Sequence, residues 1–368
     1  MTTPRAVIVG AGPAGLAVAA LLGQAGVPYT LLDARGPASA WRGHYERLHL
    51  HTPRGSSGLP GFPMPRTYPR YPSREQVIAY LDGYARHFGI EAVRAQVTDA
   101  RRDGSTWTVT TMDGPFTAPN LIVATGYTAA PVRPTWPGLD TFTGPVVHSS
   151  DYRSGRAYAG QRVLVVGLGN SGGEIALDLH EQGARPTVSV RGPVNVLPRD
   201  ILGIPTLALG ILQAGWPSAL ADAVNAPIIR ALIGDLRPYG LRRPAEGAIT
   251  QIRRHRRVPV LDVGTVRLVK SGELAVRPGI DHFTPGSVVF IDGREEAFEA
   301  VILATGFRPN LAWLHTSVPV LDDHGVPMTS GRPTHEPGLT FCGFHVASSG
   351  MLREIAREAR RIAAYLQA

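Results

Sequence analysis

The chain has 368 residues, of which 43% are hydrophobic and 18% charged, which excludes a disordered protein and predicts two or three domains at roughly 150 residues each. Its one cysteine, Cys342, excludes an intramolecular disulfide framework, a four-cysteine zinc site and a paired redox dithiol, and we predict no metal site. The net charge of +8 comes from 36 arginines and one lysine scattered along the chain, so we ascribe it to a GC-rich genome and expect no nucleic-acid partner.

Neither membrane insertion nor secretion is expected. The most apolar stretch, residues 201–216, is interrupted by Pro205 and by glycines, and it is shorter than the roughly 18 residues of a membrane helix. We expect this stretch to be buried or to line a cavity. The apolar run ahead of Gly10 is too short for a signal peptide. We therefore expect a cytoplasmic protein with a small-molecule substrate and no stable membrane insertion, and a homodimer stays open.

A glycine turn near the N-terminus is the first motif with a chemical meaning. The apolar strand 6–9 runs into Gly10-Ala11-Gly12-Pro13-Ala14-Gly15, which opens a helix. Glycines let the backbone approach a pyrophosphate, and the helix N-terminus offers it N–H groups. The next strand ends at Asp33, 23 residues after Gly10, where a carboxylate bonds the ribose of a dinucleotide. The predicted contacts are Gly10, Gly12, Pro13, Ala14, Gly15, Asp33 and Ala34.

A second copy of this pattern begins at residue 162. An apolar strand is followed by Gly167-Leu168-Gly169-Asn170-Ser171-Gly172 and a helix. The place of Asp33 is taken by Arg191, which would pair with the 2′-phosphate of NADPH, whereas a carboxylate would repel it. An ordinary surface arginine is the alternative. We predict NADPH at Gly167, Gly169, Asn170, Ser171, Gly172 and Arg191, and FAD at the first turn.

Each half of the chain closes with a similar strand and turn. Residues 121–123 run into Ala124-Thr125-Gly126, and residues 301–304 run into Thr305-Gly306; these five turn residues are further predicted cofactor contacts. Short alternating segments before each turn are typical of antiparallel meanders. Residues 350–366 have the period of an amphipathic helix. This order predicts an NADPH-binding domain, 153–305, inserted in an FAD-binding domain formed by 1–152 and 306–368.

A Pro-rich stretch without a period, residues 43–72, separates the first glycine turn from the rest of its half. Loops of this length are uncommon unless they are functional. The stretch ends at a capping box formed by Ser73 and Gln76, which predicts a helix reaching residue 88. We expect the loop to cover the flavin.

The pattern Phe142-x-Gly144-x-x-x-His148-x-x-x-Tyr152 resembles the fingerprint of flavin-containing monooxygenases and of related N-hydroxylating and Baeyer–Villiger enzymes. Further segments are similar to the plant YUCCA flavin monooxygenases: 45–51, 71–73, 196–199, 259–264, 278–280 and 343–344. The resemblance implies an α/β fold with two Rossmann-like dinucleotide-binding domains, of the three-layer ββα, glutathione-reductase-like type.

The same resemblance implies an activity. Such enzymes reduce FAD with NADPH, add O₂ as co-substrate to flavin carbon 4a, and oxygenate a small molecule with the C4a-(hydro)peroxide. The plant family is implied to decarboxylate an aryl 2-oxo acid such as indole-3-pyruvate to the acid one carbon shorter. One alternative activity is N- or S-oxygenation of an amine or thioether. An alternative of another class is a redox sensor that binds FAD and NADP with little turnover. The cofactor carries the reaction, in agreement with the lack of a catalytic triad or metal motif.

Site residues near the flavin are also implied by the resemblance. His51 is the predicted catalytic residue, a donor to the peroxide or to the nicotinamide ribose, and a packed loop histidine is the alternative. Trp41 and Thr52 would meet the flavin ring, and Val97 and Gly343 complete the predicted contacts. No single arginine stands out among 36 as the anchor of a substrate carboxylate.

Overall fold

The computed structural model describes residues 4–367, which divide into two compact units. As far as they lie within the described residues, Met1–Gly43, Thr52–Ala130 and Phe307–Ala368 form the first unit. The second unit consists of His44–His51 and Pro131–Gly306. None of the helices in residues 4–367 is both long and apolar enough to cross a membrane.

This division differs in three places from the one that the sequence predicts, and the smallest difference is that Gly306 belongs to the second unit. Residues 131–152 belong to the second unit, because the strand Val146–His148 pairs with the second sheet. His44–His51 belong there too, and the amide of Glu46 donates to the carbonyl of Arg153 at 2.9 Å. Which unit binds FAD and which binds NADPH stays a prediction.

The strands and helices are numbered here in chain order. The strands are β1 (Ala6–Val9), β2 (Tyr29–Asp33), β3 (Val93–Arg94), β4 (Val97–Asp103), β5 (Thr106–Thr111), β6 (Gly114–Ala118), β7 (Asn120–Val123), β8 (Ala130–Pro131), β9 (Val146–His148), β10 (Arg162–Val166), β11 (Arg185–Ser189), β12 (Val196–Pro198), β13 (Asp200–Ile201), β14 (Ile204–Pro205), β15 (Val260–Asp262), β16 (Ala275–Arg277), β17 (Ile280–Phe283), β18 (Ser287–Phe290), β19 (Glu295–Ala297), β20 (Ala300–Leu303), β21 (Phe307–Arg308) and β22 (Leu339–Phe341). The helices are α1 (Pro13–Gln24), α2 (Ser39–Arg42), α3 (Arg74–His87), α4 (Asn170–Glu181), α5 (Thr206–Leu212), α6 (Ser218–Ile233), α7 (Ala248–His255), α8 (Thr265–Ser271) and α9 (Met351–Gln367).

The first unit has three layers. Its parallel sheet has the order β22-β7-β1-β2-β3, and β1 is buried along its whole length. Helices α1, α3 and α9 form one layer, and the antiparallel meander β4-β5-β6 forms another. Trp107 of the meander packs with Val7 and Val123 of the sheet in one core. Burial on both faces explains why β1 and the last three residues of β7 are continuous apolar runs.

The second unit repeats this architecture. Its parallel sheet has the order β16-β11-β10-β20-β9, with α4 packed against β10 and β11. The antiparallel meander β17-β18-β19 shares a core with the sheet, in which Phe290 packs with Leu164 and Val301. The predicted α/β, three-layer ββα fold with two Rossmann-like units is therefore confirmed.

Residues 201–216 contradict the first of the two predicted alternatives, burial, whereas the second, that they line a cavity, stays a prediction. Leu202 is 91% exposed and Leu212 is 71% exposed. The chain turns at Leu202 and Gly203, both at positive φ, to form the β13–β14 hairpin, and the short helix α5 follows. The prediction of burial failed because the hairpin holds the apolar side chains at the surface.

Candidate functional site

The first glycine turn has a geometry that only glycine supports at two of its positions. Gly10 has a φ of +106°, and a Cβ there would lie 2.6 Å from the carbonyl oxygen of Ala124. A Cβ on Gly15 would overlap the carbonyl oxygen of Gly10. These contacts bring the start of α1 tightly against the ends of β1 and β7, so the turn stands at the carboxyl edge of the sheet.

The second turn has the same geometry. Gly167 has a φ of +101°, and a Cβ there would lie 2.7 Å from the carbonyl oxygen of Ala304. A Cβ on Gly172 would overlap the carbonyl oxygen of Gly167. The repeat that the sequence indicates is therefore a repeat of structure.

The middle glycine of each turn is open. A Cβ on Gly12 or on Gly169 would have no neighbour within 4 Å among the described residues. Neither α1, whose first residue is Pro13, nor α4 has a side chain that caps its N-terminus. The unpaired N–H groups of these helix ends and the space above the glycines fit a dinucleotide pyrophosphate at each turn.

Asp33 holds the first turn in place. Its Oδ2 accepts a hydrogen bond from the amide of Ala11 at 2.8 Å, and its Oδ1 accepts from the amides of Arg35 and Gly36 at 2.9 and 2.8 Å. Ala34 lies directly after it. The carbonyl of Asp33 also accepts from the amide of Ala95, which places Val97, at the start of β4, near this end of β2.

The two Thr-Gly turns differ in their threonine. Thr125 Oγ1 is buried and has no hydrogen-bond partner among the described residues, so this hydroxyl is available to a bound group next to the first glycine turn. Thr305 Oγ1 instead donates to the carbonyl of Val132 at 2.5 Å. Gly126 and Gly306 both have positive φ, and a Cβ on either would have no neighbour within 4 Å in the described part of the chain.

His148, the histidine of the fingerprint, supports the second Thr-Gly turn. It is fully buried, its Nε2 lies 3.1 Å from the carbonyl oxygen of Gly306, and its Nδ1 lies 3.0 Å from Ser150 Oγ. Burial lowers the pKa of His148, against the opposing effect of the bond to Gly306. His148 is therefore a neutral, structural residue near neutral pH.

Gly343 brings the first turns of two helices together. Its φ is +87°, and a Cβ there would lie 3.0 Å from Ala14 Cβ in α1 and 3.6 Å from Ile355 in α9. Its amide donates to Glu358 Oε2 at 2.6 Å. Glu358 is almost completely buried, and burial raises its pKa. The helix start of α9 therefore lies beside the glycine turn of α1.

Trp41 and Thr52 lie on either side of the segment His44–His51, which belongs to the second unit. Trp41 is half-buried on the short helix α2. Thr52 Oγ1 lies 2.7 Å from Ser57 Oγ, which also bonds the carbonyl of Pro53 and so fixes a tight turn. Both residues belong to the first unit, whereas His51 belongs to the second.

His51 lies against a buried carboxylate that the sequence did not reveal. Its Nε2 is 3.0 Å from Oε1 of Glu174, which is in α4 and only 3% exposed. Neither ring nitrogen makes a well-directed hydrogen bond within the described residues, although the distance to Glu174 is short. The ring therefore has hydrogen-bonding capacity to spare for a ligand.

Tyr45 joins the same cluster. It is 3% exposed, and burial together with the charge of Glu174 raises its pKa well above the usual value, while a hydrogen bond with Ser171 opposes the rise. Ser171 belongs to the second glycine motif. The side chain of Asn170 is engaged too: its Oδ1 accepts from the amide of Leu261 at 2.7 Å, and its Nδ2 donates to the carbonyl of Pro259 at 3.1 Å.

Arg191 lies one position beyond the residue that corresponds to Asp33. The amides of Gly10 and Gly167 donate to the carbonyls of Leu32 and Ser189, so Val190 matches Asp33 and Arg191 matches Ala34. The role of Arg191 at a 2′-phosphate stays a prediction. This residue follows β11 and is exposed, and its side chain makes no ion pair or hydrogen bond with the described residues. A guanidinium without a protein partner fits a phosphate ligand.

Known proteins share this arrangement. A family model described as pyridine nucleotide-disulphide oxidoreductase matches residues 7–199. Indole-3-pyruvate monooxygenase YUCCA4 of Oryza sativa subsp. japonica is 42% identical over 363 residues, which cover 93% of this chain and 83% of that protein. The probable indole-3-pyruvate monooxygenase YUCCA4 of Arabidopsis thaliana is 42% identical over 350 residues, or 93% of this chain and 85% of that protein. The chain belongs to the YUCCA-type flavin monooxygenases.

A solved structure agrees with this assignment. The flavin-containing monooxygenase from Stenotrophomonas maltophilia has a TM-score of 0.75 and 26% identity, and the match covers 99% of each chain. The YUCCA-type chain is therefore a flavin-dependent monooxygenase, an oxidoreductase that uses FAD, NADPH and O₂. Its one cysteine, Cys342, is fully buried, and burial and the charge of Glu358 raise the pKa of its thiol well above the usual value.

Proposed function

We propose that this enzyme oxidises an arylalkyl 2-oxo acid, such as indole-3-pyruvate, to the carboxylic acid one carbon shorter. One oxygen atom of O₂ enters the acid, the other leaves as water, NADPH becomes NADP⁺, and the carboxyl carbon leaves as CO₂. The observation that carries the proposal is the 42% identity, over 93% of the chain, to an enzyme named for indole-3-pyruvate. Bound FAD, reduced by NADPH, supplies the activation of oxygen.

The first glycine turn is the proposed FAD site. The N–H groups at the start of α1 and the open face of Gly12 would take the pyrophosphate. Asp33 fixes the turn, and its Oδ2, which accepts only from the amide of Ala11 among the described residues, keeps a lone pair for the ribose. Thr125 Oγ1 would find in FAD the hydrogen-bond partner that it lacks among the described residues.

The second glycine turn is the proposed NADPH site. Gly169 and the start of α4 would take its pyrophosphate, and Arg191 would pair with its 2′-phosphate. The same helix carries Glu174, which contacts His51. The helix α4 therefore connects the proposed pyrophosphate site to His51.

We further propose that His51 acts next to the reacting groups. The Glu174 carboxylate favours the tautomer with the proton on Nε2, which leaves Nδ1 as an acceptor for a donor on the bound ligand. A histidine fixed in this way by a buried carboxylate would hold a proton at a defined atom and help to keep water from the site.

The test is a turnover assay with purified, FAD-loaded enzyme. NADPH oxidation, O₂ uptake, CO₂ and the carboxylic acid product are measured with indole-3-pyruvate, and hydrogen peroxide is measured in parallel. We expect one acid and one CO₂ for each NADPH. The proposal is wrong if indole-3-pyruvate gives only hydrogen peroxide while an amine or a thioether is oxygenated with tight coupling.

A further inference from the structure

A cavity of about 780 Å³ lies within the first unit, between the loop Arg54–Met64 and one face of α9. Four arginine side chains line it: Arg54 from the loop, and Arg353, Arg357 and Arg360 from the helix. The remaining lining is glycine or apolar apart from Ser56, and it includes Leu59, Phe62, Pro63, Met64 and Ala356. The cavity thus combines an apolar surface with concentrated positive charge.

The positive charge of this cavity is poorly compensated. Arg353 and Arg357 share one carboxylate, Glu354, at 3.2 and 3.3 Å. Arg54 and Arg360 take part in no ion pair among residues 4–367. Residues three or four apart lie on one face of a helix, where like charges repel and destabilise it. A bound anion would relieve this repulsion.

The charge of Glu354 is paired with arginines of its own helix. Burial of this side chain opposes its ionisation, but the hydrogen bond from Ser349 Oγ and the charges of Arg357, His345 and Arg353 outweigh burial and lower its pKa. Glu354 therefore stays ionised near neutral pH and offsets at most one of the four positive charges. The cavity keeps a net positive charge for a ligand.

The loop wall begins with a 3₁₀ turn, Arg54–Ser56, and residues 57–64 are held by side chains of α3. Tyr80 Oη accepts from the amide of Leu59 at 2.7 Å and donates to the carbonyl of Phe62 at 2.6 Å. Tyr84 Oη donates to the carbonyl of Pro60 at 2.8 Å. The Phe62 ring stacks on Tyr80 with centroids 5.9 Å apart. The apolar surface is therefore held in place by α3 before any ligand arrives, which lowers the cost of binding.

The cavity reaches the helix end beside the predicted flavin site. Arg353 is in the first turn of α9, and Ile355, in the same part of the helix, is a neighbour of Gly343. Gly343 is also a neighbour of Ala14, in the first turn of α1. Because Arg353 and Ile355 are two residues apart, they point to opposite sides of α9, and a ligand held at Arg353 would lie about one helix diameter, roughly 10 Å, from Gly343.

We infer that this cavity binds the arylalkyl 2-oxo acid substrate, with its carboxylate held by Arg54, Arg353 and Arg357 and its flat apolar body against the loop wall. Arginine is the natural choice for a carboxylate, because its planar N–H groups match the two oxygens. The inference rests on the proposed function and names the site at which that substrate is recognised.

Binding to the FAD-loaded enzyme without NADPH tests the site separately from turnover. Indole-3-acetate, which carries the carboxylate, and indole-3-acetamide, which does not, are titrated by calorimetry into the wild-type enzyme, Arg54→Gln, and the double variant Arg54→Gln/Arg357→Gln. Arg361→Gln is the matched control, since Arg361 is an exposed arginine of α9 that does not line the cavity. FAD content and melting temperature verify that each variant is folded.

We expect the double variant to raise the dissociation constant of indole-3-acetate about tenfold or more, because a charge-assisted pair is lost, and Arg54→Gln alone to raise it by a smaller factor. The Arg361→Gln constant should match that of the wild type. The proposed function can fail while this site stands, if the wild type binds indole-3-acetate through these arginines but does not turn over indole-3-pyruvate.

Three outcomes would overturn the inference. The first is a folded double variant that binds indole-3-acetate as the wild type does, even where the wild type turns over indole-3-pyruvate. The second is equal affinity of the wild type for the acid and the amide. The third is displacement of indole-3-acetate by an equal concentration of sodium acetate, which would indicate a site for small anions. If the double variant fails to fold, Arg54→Gln decides, since Arg54 lies on the loop and forms no ion pair in the described chain.

Discussion

His51 Nε2 lies 3.0 Å from Oε1 of Glu174, and the carboxylate belongs to the helix that begins at the second glycine turn. A loop histidine and the helix α4 are therefore joined through one buried contact. Because Glu174 is only 3% exposed, the contact is shielded from solvent.

His51→Ala should uncouple the enzyme. FAD binding and reduction by NADPH need no side chain at this position, so both should persist, whereas the yield of acid product should fall and that of hydrogen peroxide should rise. Peroxide release per NADPH, measured with substrate present, checks this. His49→Ala is the control, because His49 is exposed and its Nδ1 bonds only the nearby carbonyl of Arg47. Full coupling in His51→Ala would identify His51 as loop packing.

Glu174→Gln should have a weaker effect of the same kind. The amide keeps the size of the side chain but removes the charge that favours a proton on His51 Nε2. We expect coupling to fall by up to about tenfold, the lower end of the effect of losing a contact that orients another residue. Glu181→Gln, in the same helix but paired with Arg47 at the surface, should remain coupled. A Glu174→Gln enzyme that also remains coupled would contradict the positioning role.

Arg191→Ala should reduce the preference for NADPH over NADH. A charge-assisted pair with the 2′-phosphate contributes about 1.5–3 kcal/mol, so the ratio of the two kcat/KM values should fall by about one to two decades. The exposed Arg185, at the start of β11, offers Arg185→Ala as the comparison. Equal use of NADH by the wild-type enzyme would remove the basis of this prediction.

Gly12→Val should give a folded protein that does not hold FAD. Gly12 has a φ of −77° and a ψ of −171°, which valine adopts without strain, and a Cβ would meet no described atom within 4 Å. The side chain would fill only the space predicted for the pyrophosphate. Flavin absorbance after purification and the circular dichroism of the apoprotein measure the two effects. Gly215→Val, at an exposed glycine with equally free space, should keep its FAD.

His148 should make stability depend on pH. Burial lowers its pKa below the ordinary value of 6.5, so the unfolded chain takes up a proton at a higher pH than the folded one. The contribution of His148 is therefore complete above that ordinary pKa and is lost as the pH falls through the folded pKa. Melting temperatures between about pH 7.5 and 5 should fall more steeply for the wild type than for His148→Gln. His324→Gln, at an exposed histidine, should follow the wild-type curve.

The glycine turns were predictable because their requirement is local. Gly10 and Gly15 allow contacts that no other residue can make, so their spacing carries the geometry directly. The contact of His51 with Glu174 was not predictable, since it joins a loop to the interior of a distant helix. The spacing of Arg353 and Arg357 places them on one helix face, but only the folded loop brings Arg54 opposite them.

The domain limits and the apolar stretch were also predicted wrongly where the outcome depends on the folded backbone and not on the local sequence. The strand Val146–His148 has no sequence feature that tells which sheet it joins, and the partner strand Ala300–Leu303 lies far along the chain. In residues 201–216, hydrophobicity suggested burial, but the turn at Leu202 and Gly203 decided otherwise. Composition indicates that an apolar side chain favours burial, whereas the path of the backbone determines whether that side chain is buried.

The pairing of β22 with β7 has a consequence for folding. Phe341 lies opposite Val123, so the parallel sheet of the first unit joins strands about two hundred residues apart in the chain, and α9, which follows β22, packs on α1. Closing so long a loop slows folding. During synthesis, the second unit can therefore fold on the ribosome before β22 has been made. Until β22 pairs with β7, the apolar edge of the N-terminal sheet is unpaired and exposed to aggregation and to chaperones.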